Sequence, residues 1–346
     1  MRHFLNILLS GAAAVLAAVS CKQDNRDTEP LIDPWLRERT PVNVRLESQI
    51  GAALISNDWR DDSVGSVSVS LITSALDLTR VRVEAIDFKY PDSEFCPTAS
   101  ISPGSTIDLS SGSAHFIVTA YNGEIRDYTI TYSGFSDPTE GTFTFTKIAG
   151  LIDSTAPKCA MIIIGGWDGE VVRSTVMDKY WHWGAGYMPT DEDDNTLSFL
   201  LEKADAETGA TFGSIVNTAG PDGKYANYVY NNSIDVNDRY RIFPAGKGRW
   251  ANLGNGVITV YDYDDPEYTS PLYTVSFIEA GTYDYDGKSI SIPYGAFVRS
   301  FEGPFNTIDW NYPDTRWYTD NLRHVFWLVK KDSDSALPNH NELLAQ

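Results

Sequence analysis

Polar and apolar positions alternate strictly over Ser66-Val-Ser-Val-Ser70 and Arg80-Val-Arg-Val-Glu84. Period two is the mark of a strand with one face buried. His115-Phe-Ile-Val-Thr-Ala-Tyr121 and Tyr128-Thr-Ile-Thr-Tyr132 are β-branched and aromatic runs on either side of Asn122-Gly123. That pair suits a type I′ hairpin turn, which needs positive φ at both central residues. Ser102-Pro-Gly-Ser105 marks another turn. Short strands and turn signals from Pro41 to about Gly134 predict a small β-sandwich.

A second stretch, 140–332, has the same rhythm on a larger scale. Its strand candidates are Gly141–Thr146, Met161–Ile164, Tyr225–Tyr230, Val257–Tyr261, Leu272–Ile278, Ser289–Ile292 and Val325–Val329, punctuated by Asp222-Gly223, Asn255-Gly256 and Asp286-Gly287. Thr196–Thr208 fits helical and strand periods alike and is assigned to strand. The expected fold class is all-β: an N-terminal Ig-like β-sandwich followed by a jelly-roll-like β-sandwich or a large open barrel. Residues 333–346 form a polar C-terminal tail.

The N-terminus has a different character. Arg2 and His3 precede an apolar stretch from Phe4 to Val19, and the small residues Ala18-Val19-Ser20 stand before Cys21. The cleavage region resembles the bacterial lipobox, in which the cysteine becomes the lipidated first residue, although Ala18 stands where Leu is commonest. An ordinary secretory signal cut near Ser20 is the other reading. Residues 1–20 are thus expected to be a lipoprotein signal peptide. Residues 21–40, with Pro30 and Pro34, are expected to be a lipidated tether. No other apolar run is long enough to span a membrane, so attachment would rest on lipid at Cys21. Cys96 and Cys159 lie in different predicted modules without metal-ligand or CxxC spacing, and read as buried free thiols.

Ile101-Ser-Pro-Gly-Ser-Thr-Ile-Asp-Leu-Ser110, with Phe116–Glu124 and Tyr128-Thr-Ile-Thr131, resembles the Ig-like modules of Bacteroidota surface lipoproteins. Those modules close on a "VTAxDG…YTV" strand pair. The resemblance covers about ninety residues and implies a spacer rather than a chemistry.

The formal net charge is -20, with 27 Lys+Arg against 47 Asp+Glu. This balance excludes a nucleic-acid partner, since a phosphate backbone requires a basic surface. The charge marks no site, because it runs through both modules: 6 basic and 12 acidic residues in 41–134, 16 and 27 in 140–332. Aromatic residues do separate them, with seven of nine Trp and fifteen of nineteen Tyr beyond residue 150. Two clusters, Tyr180-Trp-His-Trp183 with Tyr187 and Trp310-Asn-Tyr312 with Trp317-Tyr318, lie in segments rich in Gly, Pro and Asp. A sugar ring presents a flat C–H face that lies well on an indole or phenol, while neighbouring polar groups bridge its hydroxyls. Asp309, Asn311, Asp314, Arg316, Asp320, Asn321 and Arg323 interleave the second cluster. The candidate ligand-binding residues are therefore Trp181, Trp183, Tyr187, Trp310, Tyr312, Arg316, Trp317 and Tyr318. The competing reading places these rings in the core between sheets.

Asp191-Glu-Asp-Asp-Asn195, with Glu202 at the twelfth position, echoes an EF-hand calcium loop, but Thr196 stands where its turn needs Gly. Calcium is a secondary expectation, and no other metal or cofactor is expected. With 27 acidic residues in 140–332, no carboxylate pair is singled out for glycoside hydrolysis. His182 and His324 sit among aromatics, and no GxSxG, HExxH or Walker motif appears.

Anchor, tether, Ig-like spacer and aromatic-rich distal domain together resemble the surface glycan-binding lipoproteins that work beside outer-membrane sugar importers of the starch-utilisation type. The resemblance implies outer-membrane anchoring facing the medium, non-catalytic carbohydrate capture, and importer components as partners. The alternatives are a structural or adhesive lipoprotein with a protein partner, and a secreted glycan hydrolase.

Overall fold

In the computed structural model the described residues are 34–58, 60–167, 170–179, 194–230, 234–235, 237–254, 256–302, 322–332 and 343–344. They form an all-β protein. The first eight strands are β1 (Pro41–Leu46), β2 (Gln49–Asn57), β3 (Val64–Ile72), β4 (Val81–Phe88), β5 (Thr98–Ala99), β6 (Thr106–Ile107), β7 (Ser113–Thr119) and β8 (Ile125–Phe135). Three of them form the sheet β1-β4-β6 and five the sheet β2-β3-β8-β7-β5, in which β3 and β8 run parallel. The strictly alternating strands turn the expected faces inward. Val67 and Val69 of one sheet and Val81 and Val83 of the other are buried in one core with Phe116, Tyr128 and Ile130. The Phe116 and Tyr128 rings stack at 5.2 Å.

One end of this sandwich is held by charge. The buried guanidinium groups of Arg39 and Arg126 converge on the carboxylate of Asp62, and Arg39 also bonds Glu124 at 2.6 Å. The β7–β8 turn differs from the type I′ expectation. Gly123 alone of the central pair has positive φ, at 87°, while Gly123 N donates to Ala120 O and Ala120 N to Glu124 O. This is a three-residue loop with glycine at the left-handed bulge position, in which Asn122 keeps an ordinary φ.

The remaining strands are β9 (Gly141–Phe145), β10 (Met161–Trp167), β11 (Glu170–Thr175), β12 (Thr196–Ala204), β13 (Thr211–Thr218), β14 (Val229–Tyr230), β15 (Ile234–Asp235), β16 (Gly246–Asn252), β17 (Val257–Asp262), β18 (Pro271–Tyr285), β19 (Lys288–Ser300) and β20 (His324–Lys331). A short helix, α1 (Asn237–Tyr240), precedes β16. The stretch 225–230, expected as a strand, is extended only at its last two residues. Its earlier tyrosine, Tyr228, packs on Tyr240 of α1 instead of joining a ladder.

Of the two expected architectures the barrel is found, and it is closed. β9, β12, β13, β16, β17, β18, β19 and β20 pair antiparallel in that order, and β9 returns to β20 through Phe145↔Val329 and Phe143↔Lys331. Beside it on the same edge of β20, β10 pairs from Met161↔Trp327 to Ile164↔His324 and carries β11 outward. A barrel of about eight strands is just wide enough for side chains to fill. Here Phe143, Phe199, Trp250, Phe297 and Trp327 fill it, capped by Tyr240, Ile242 and Phe243. Phe199 stacks on Phe297 at 5.3 Å, and Phe143 meets both edge-on.

β18 and β19 outrun the barrel. At the register shift between Glu279 and Gly281 the hairpin bends, and Gly295 admits the Phe277 ring where a Cβ would stand 2.8 Å from it. The outer half folds back on the barrel's exterior, where Tyr283, Tyr285, Ile290 and Ile292 cover Ile162, Ile164, Phe326 and Leu328. Its tip is a type I′ turn with positive φ at both Asp286 (51°) and Gly287 (73°).

The two modules meet along an apolar seam. Ile72, at the end of β3, is buried in the barrel's own core cluster, with Ile50, Ala75 and Phe135 packed against it. Gly51, at φ 67°, lies against Ala206, so close approach and backbone conformation both call for glycine there.

Candidate functional site

Lipidation residue Cys21 and all eight candidate ligand residues, Trp181, Trp183, Tyr187, Trp310, Tyr312, Arg316, Trp317 and Tyr318, lie outside the described residues. The strands that bound the two ring-bearing segments are described. In a closed antiparallel barrel, successive connections alternate between the two ends. The turns β12–β13 (205–210) and β16–β17 (253–256) therefore lie at one end, with the chain entering β9 from the N-terminal module. At the other end β9 leaves and β12 enters, β13 leaves and β16 enters, β17 leaves and β18 enters, and β19 leaves and β20 enters. Of the described residues that flank the ring-bearing segments, Asp194, Glu302 and Leu322 lie at this second end, whereas Lys179 follows β11, which runs back from that end with Thr175 opposite Ile162. That end is the one opposite the N-terminal module.

Several described side chains gather there. Arg299 lies 4.6 Å over the Tyr273 ring and 4.6 Å over that of Phe301, and donates to the Asp238 carbonyl at 2.6 Å. Burial lowers its pKa, opposed by Tyr273 and Asp238. At the β19–β20 stem, His324 Nδ1 lies 2.9 Å from the Ser300 hydroxyl and Nε2 lies 3.2 Å from Asp286 Oδ2. The Tyr285 ring stands 4.8 Å from the imidazole. Burial lowers the His324 pKa against the pull of Asp286, so the neutral imidazole is favoured. The Asp286 carboxyl is held below its ordinary range, chiefly by its bond to Arg323. Serine, histidine and aspartate in hydrogen-bonded sequence have the connectivity of a nucleophile relay. Here Ser300 and His324 are directly opposed cross-strand partners, and Asp286 is shared with Arg323 at 3.2 Å. What these contacts do is pin the folded-back hairpin tip to the barrel. Arg323, counted among the polar groups of the second cluster, is engaged in that pin.

Part of the aromatic enrichment is structural. Trp250 donates its indole N–H to Leu200 O at 3.2 Å and Trp327 donates to Tyr240 O at 3.1 Å, both inside the barrel. Among the described residues the barrel interior is packed with apolar side chains.

At the far end of the calcium echo, Glu202 is engaged in strand β12. Thr196 to Glu202 lie in strand β12, and Glu202 bonds the Ser214 hydroxyl and sits 3.6 Å from Arg249 on the barrel's outside. Asp191–Asp193 are outside the described residues. Among the described residues no group of three or more His, Cys, Asp or Glu is placed to hold a metal ion. Cys159 is buried, its thiol donating to the Met161 carbonyl at 3.5 Å, and Cys96 is half-buried; neither is in a disulfide.

Sequence reasoning missed two concave sites. One, of about 210 Å³, lies on the N-terminal sandwich and is lined by Glu38, Lys89, Tyr90, Ser93, Phe95 and Pro97. The other, of about 360 Å³, is a polar cleft between the modules, with Arg45, Glu84, Glu202 and Lys203 on its walls. In the cleft, Arg45 and Glu84 are already paired at 3.0 Å.

No family model and no curated protein matches the chain. Among solved structures, the crystal structure of a "putative glycoside hydrolase" from Bacteroides thetaiotaomicron is similar over 92% of this chain and 89% of that one, at 14% identity and a TM-score of 0.21. A likeness at that level carries no argument about fold or activity.

Proposed function

We propose that the protein is a lipid-anchored protein of the outer membrane, facing the medium, that binds an oligo- or polysaccharide without turning it over. The observation that supports this reading is the division of the barrel's two ends. The interior is filled with side chains, so a ligand must meet the barrel from outside. Three of the four described residues that flank the ring-bearing segments, Asp194, Glu302 and Leu322, lie at the end opposite the module that continues toward Cys21, which is where a captured glycan would be met first.

In this reading Trp181, Trp183, Tyr187, Trp310, Tyr312, Trp317 and Tyr318 supply stacking faces and Arg316 a hydrogen-bonding fork for ring hydroxyls. Lipid on Cys21 supplies the anchor, and importer components are the expected partners. The test is retardation on polysaccharide affinity gels and on a glycan array. Each ring replaced by alanine should weaken binding by about 1–3 kcal/mol. The double variant W310A/W317A should lose retardation while its melting temperature stays within a degree or two. Unchanged retardation removes that platform. Product release from a polysaccharide panel, lost when one carboxylate is changed, would replace capture with hydrolysis.

A further inference from the structure

The pocket on the N-terminal sandwich is lined by two separate pieces of chain. Lys89, Tyr90, Ser93, Phe95 and Pro97 come from the loop between β4 and β5, and Glu38 comes from the segment before β1. The loop is held by its own backbone: Ser93 N donates to Tyr90 O, Cys96 N to Ser93 O, and Phe95 N to the Ser93 hydroxyl at 3.1 Å. The β7–β8 turn supports this lining from beside it, its Tyr121 edge-on to Phe95 with ring centroids 5.1 Å apart. Asn122 N of the same turn bonds Leu36 O, so the segment leading to Glu38 is tied to that turn. The walls are therefore positioned before any ligand arrives.

The chemistry of the walls is mixed. Tyr90, on the lining, is 37% exposed, and Tyr121 beside Phe95 is 56% exposed. The Lys89 ammonium lies 5.4 Å over the Tyr90 ring. One oxygen of Glu38 accepts from Arg39 N and Thr40 N, which fixes the carboxylate and leaves its second oxygen outside those bonds. One cation, one anion, a hydroxyl and ring faces suit a neutral ligand that both donates and accepts along its edge and is flat and apolar on its face. At about 210 Å³ the space lies below the usual ~300–1,000 Å³ of pockets for drug-sized ligands. It has room for one six-membered ring and not for a chain.

We infer that this pocket binds a single neutral sugar ring, such as a chain end or a branch, and forms a second contact point for the same glycan that the barrel captures. The inference rests on the carbohydrate reading above. Two weak contacts on one chain give an avidity that neither has alone.

The test uses the full chain with 3-fluorotyrosine incorporated, and the Tyr90 and Tyr121 fluorine resonances assigned from Y90F and Y121F. Methyl glycosides of glucose, galactose, mannose, xylose and N-acetylglucosamine are titrated to tens of millimolar. The Tyr90 resonance should shift saturably with at least one of them, and K89M should weaken that binding by about threefold or more. W310A/W317A should leave the shift intact. No movement of either resonance with any of the five glycosides overturns the pocket, as does a shift that K89M and E38Q both leave unchanged. If the resonances stay still while the polysaccharide gel still retards the protein, the pocket fails and the barrel reading stands. If the gel shows nothing and the Tyr90 shift is present, the reverse holds.

Discussion

The two ends of the barrel are built on different principles. At the end facing the N-terminal module the connections are short turns, and the contact is apolar, with Ile72 of one module sunk into the core of the other. At the opposite end the connections are long, and the described contacts are polar pins: Asp286 on Arg323 and His324, and Arg299 on the Asp238 carbonyl. Burial of apolar surface is non-directional and strong, whereas exposed or half-exposed ion pairs contribute little. The near end is therefore where stability is concentrated. The far end can vary its loops without endangering the fold, as the proposed binding role would require.

The hardest test of this contrast is Trp250→Ala. Trp250 is fully buried between Phe199 and Gly213, and its N–H is bonded to Leu200 O. Its loss should lower unfolding free energy by about 3–5 kcal/mol in urea titrations. A loss below about 1 kcal/mol would mean that the barrel interior is not the packed core described above. The same measurement on W310A and W317A, where little change is expected if these rings serve a ligand as proposed, separates them from the rings that hold the fold.

The next effect in size concerns the seam. Ile72→Ala should cost about 2–5 kcal/mol, and the two modules should then melt in separate transitions by calorimetry. A single unaltered transition would show that the modules are coupled through something other than this contact.

These contrasts were unevenly visible in the sequence. Val67, Val69, Val81 and Val83 announced their buried faces because period two depends on local geometry alone. Barrel closure was not legible, since whether β9 reaches β20 depends on the stagger of eight strands, and no local pattern encodes it. The Asn122-Gly123 turn was assigned the wrong type because the dipeptide permits two loop lengths and the strand register selects between them. Asp286-Gly287 carried the same signal and does form the type I′ turn. Ring count beyond residue 150 includes Trp250 and Trp327, which the structure buries in the barrel core, together with the two ring-bearing segments outside the described residues. Composition cannot separate them. The pocket at Tyr90 was invisible because Glu38, the 89–97 loop and Tyr121 meet only in three dimensions.

Glu140, next to the seam, gives a smaller effect of opposite sign. Burial raises its pKa, against the Leu201 backbone N–H and the attraction of Lys331. A carboxyl whose folded pKa is raised contributes most below its unfolded value and loses that contribution as pH rises through the folded one. Glu140→Gln should therefore raise the melting temperature at pH 7–8 and leave it nearly unchanged near pH 4. A gain that is equal at both pH values would mean that the carboxylate is not desolvated.

The smallest effect belongs to the far end, and its pH dependence is what identifies it. Asp286 and His324 both have lowered pKa values in the folded protein, so each contribution is present above the unfolded pKa and fades as pH falls. The histidine window opens below about pH 6.5 and the aspartate window below about pH 3.9. Asp286→Asn should cost less than about 1 kcal/mol at pH 7, because the side chain is a third exposed. It should also deprive His324 of the carboxylate that favours its charged form, lowering the imidazole pKa further and extending acid sensitivity through the histidine window. Amide exchange at Tyr285–Ser289 should speed up in the variant while exchange in β12 and β13 does not. Uniform exchange across both regions would place the hairpin tip within the same cooperative unit as the near end and erase the distinction between them.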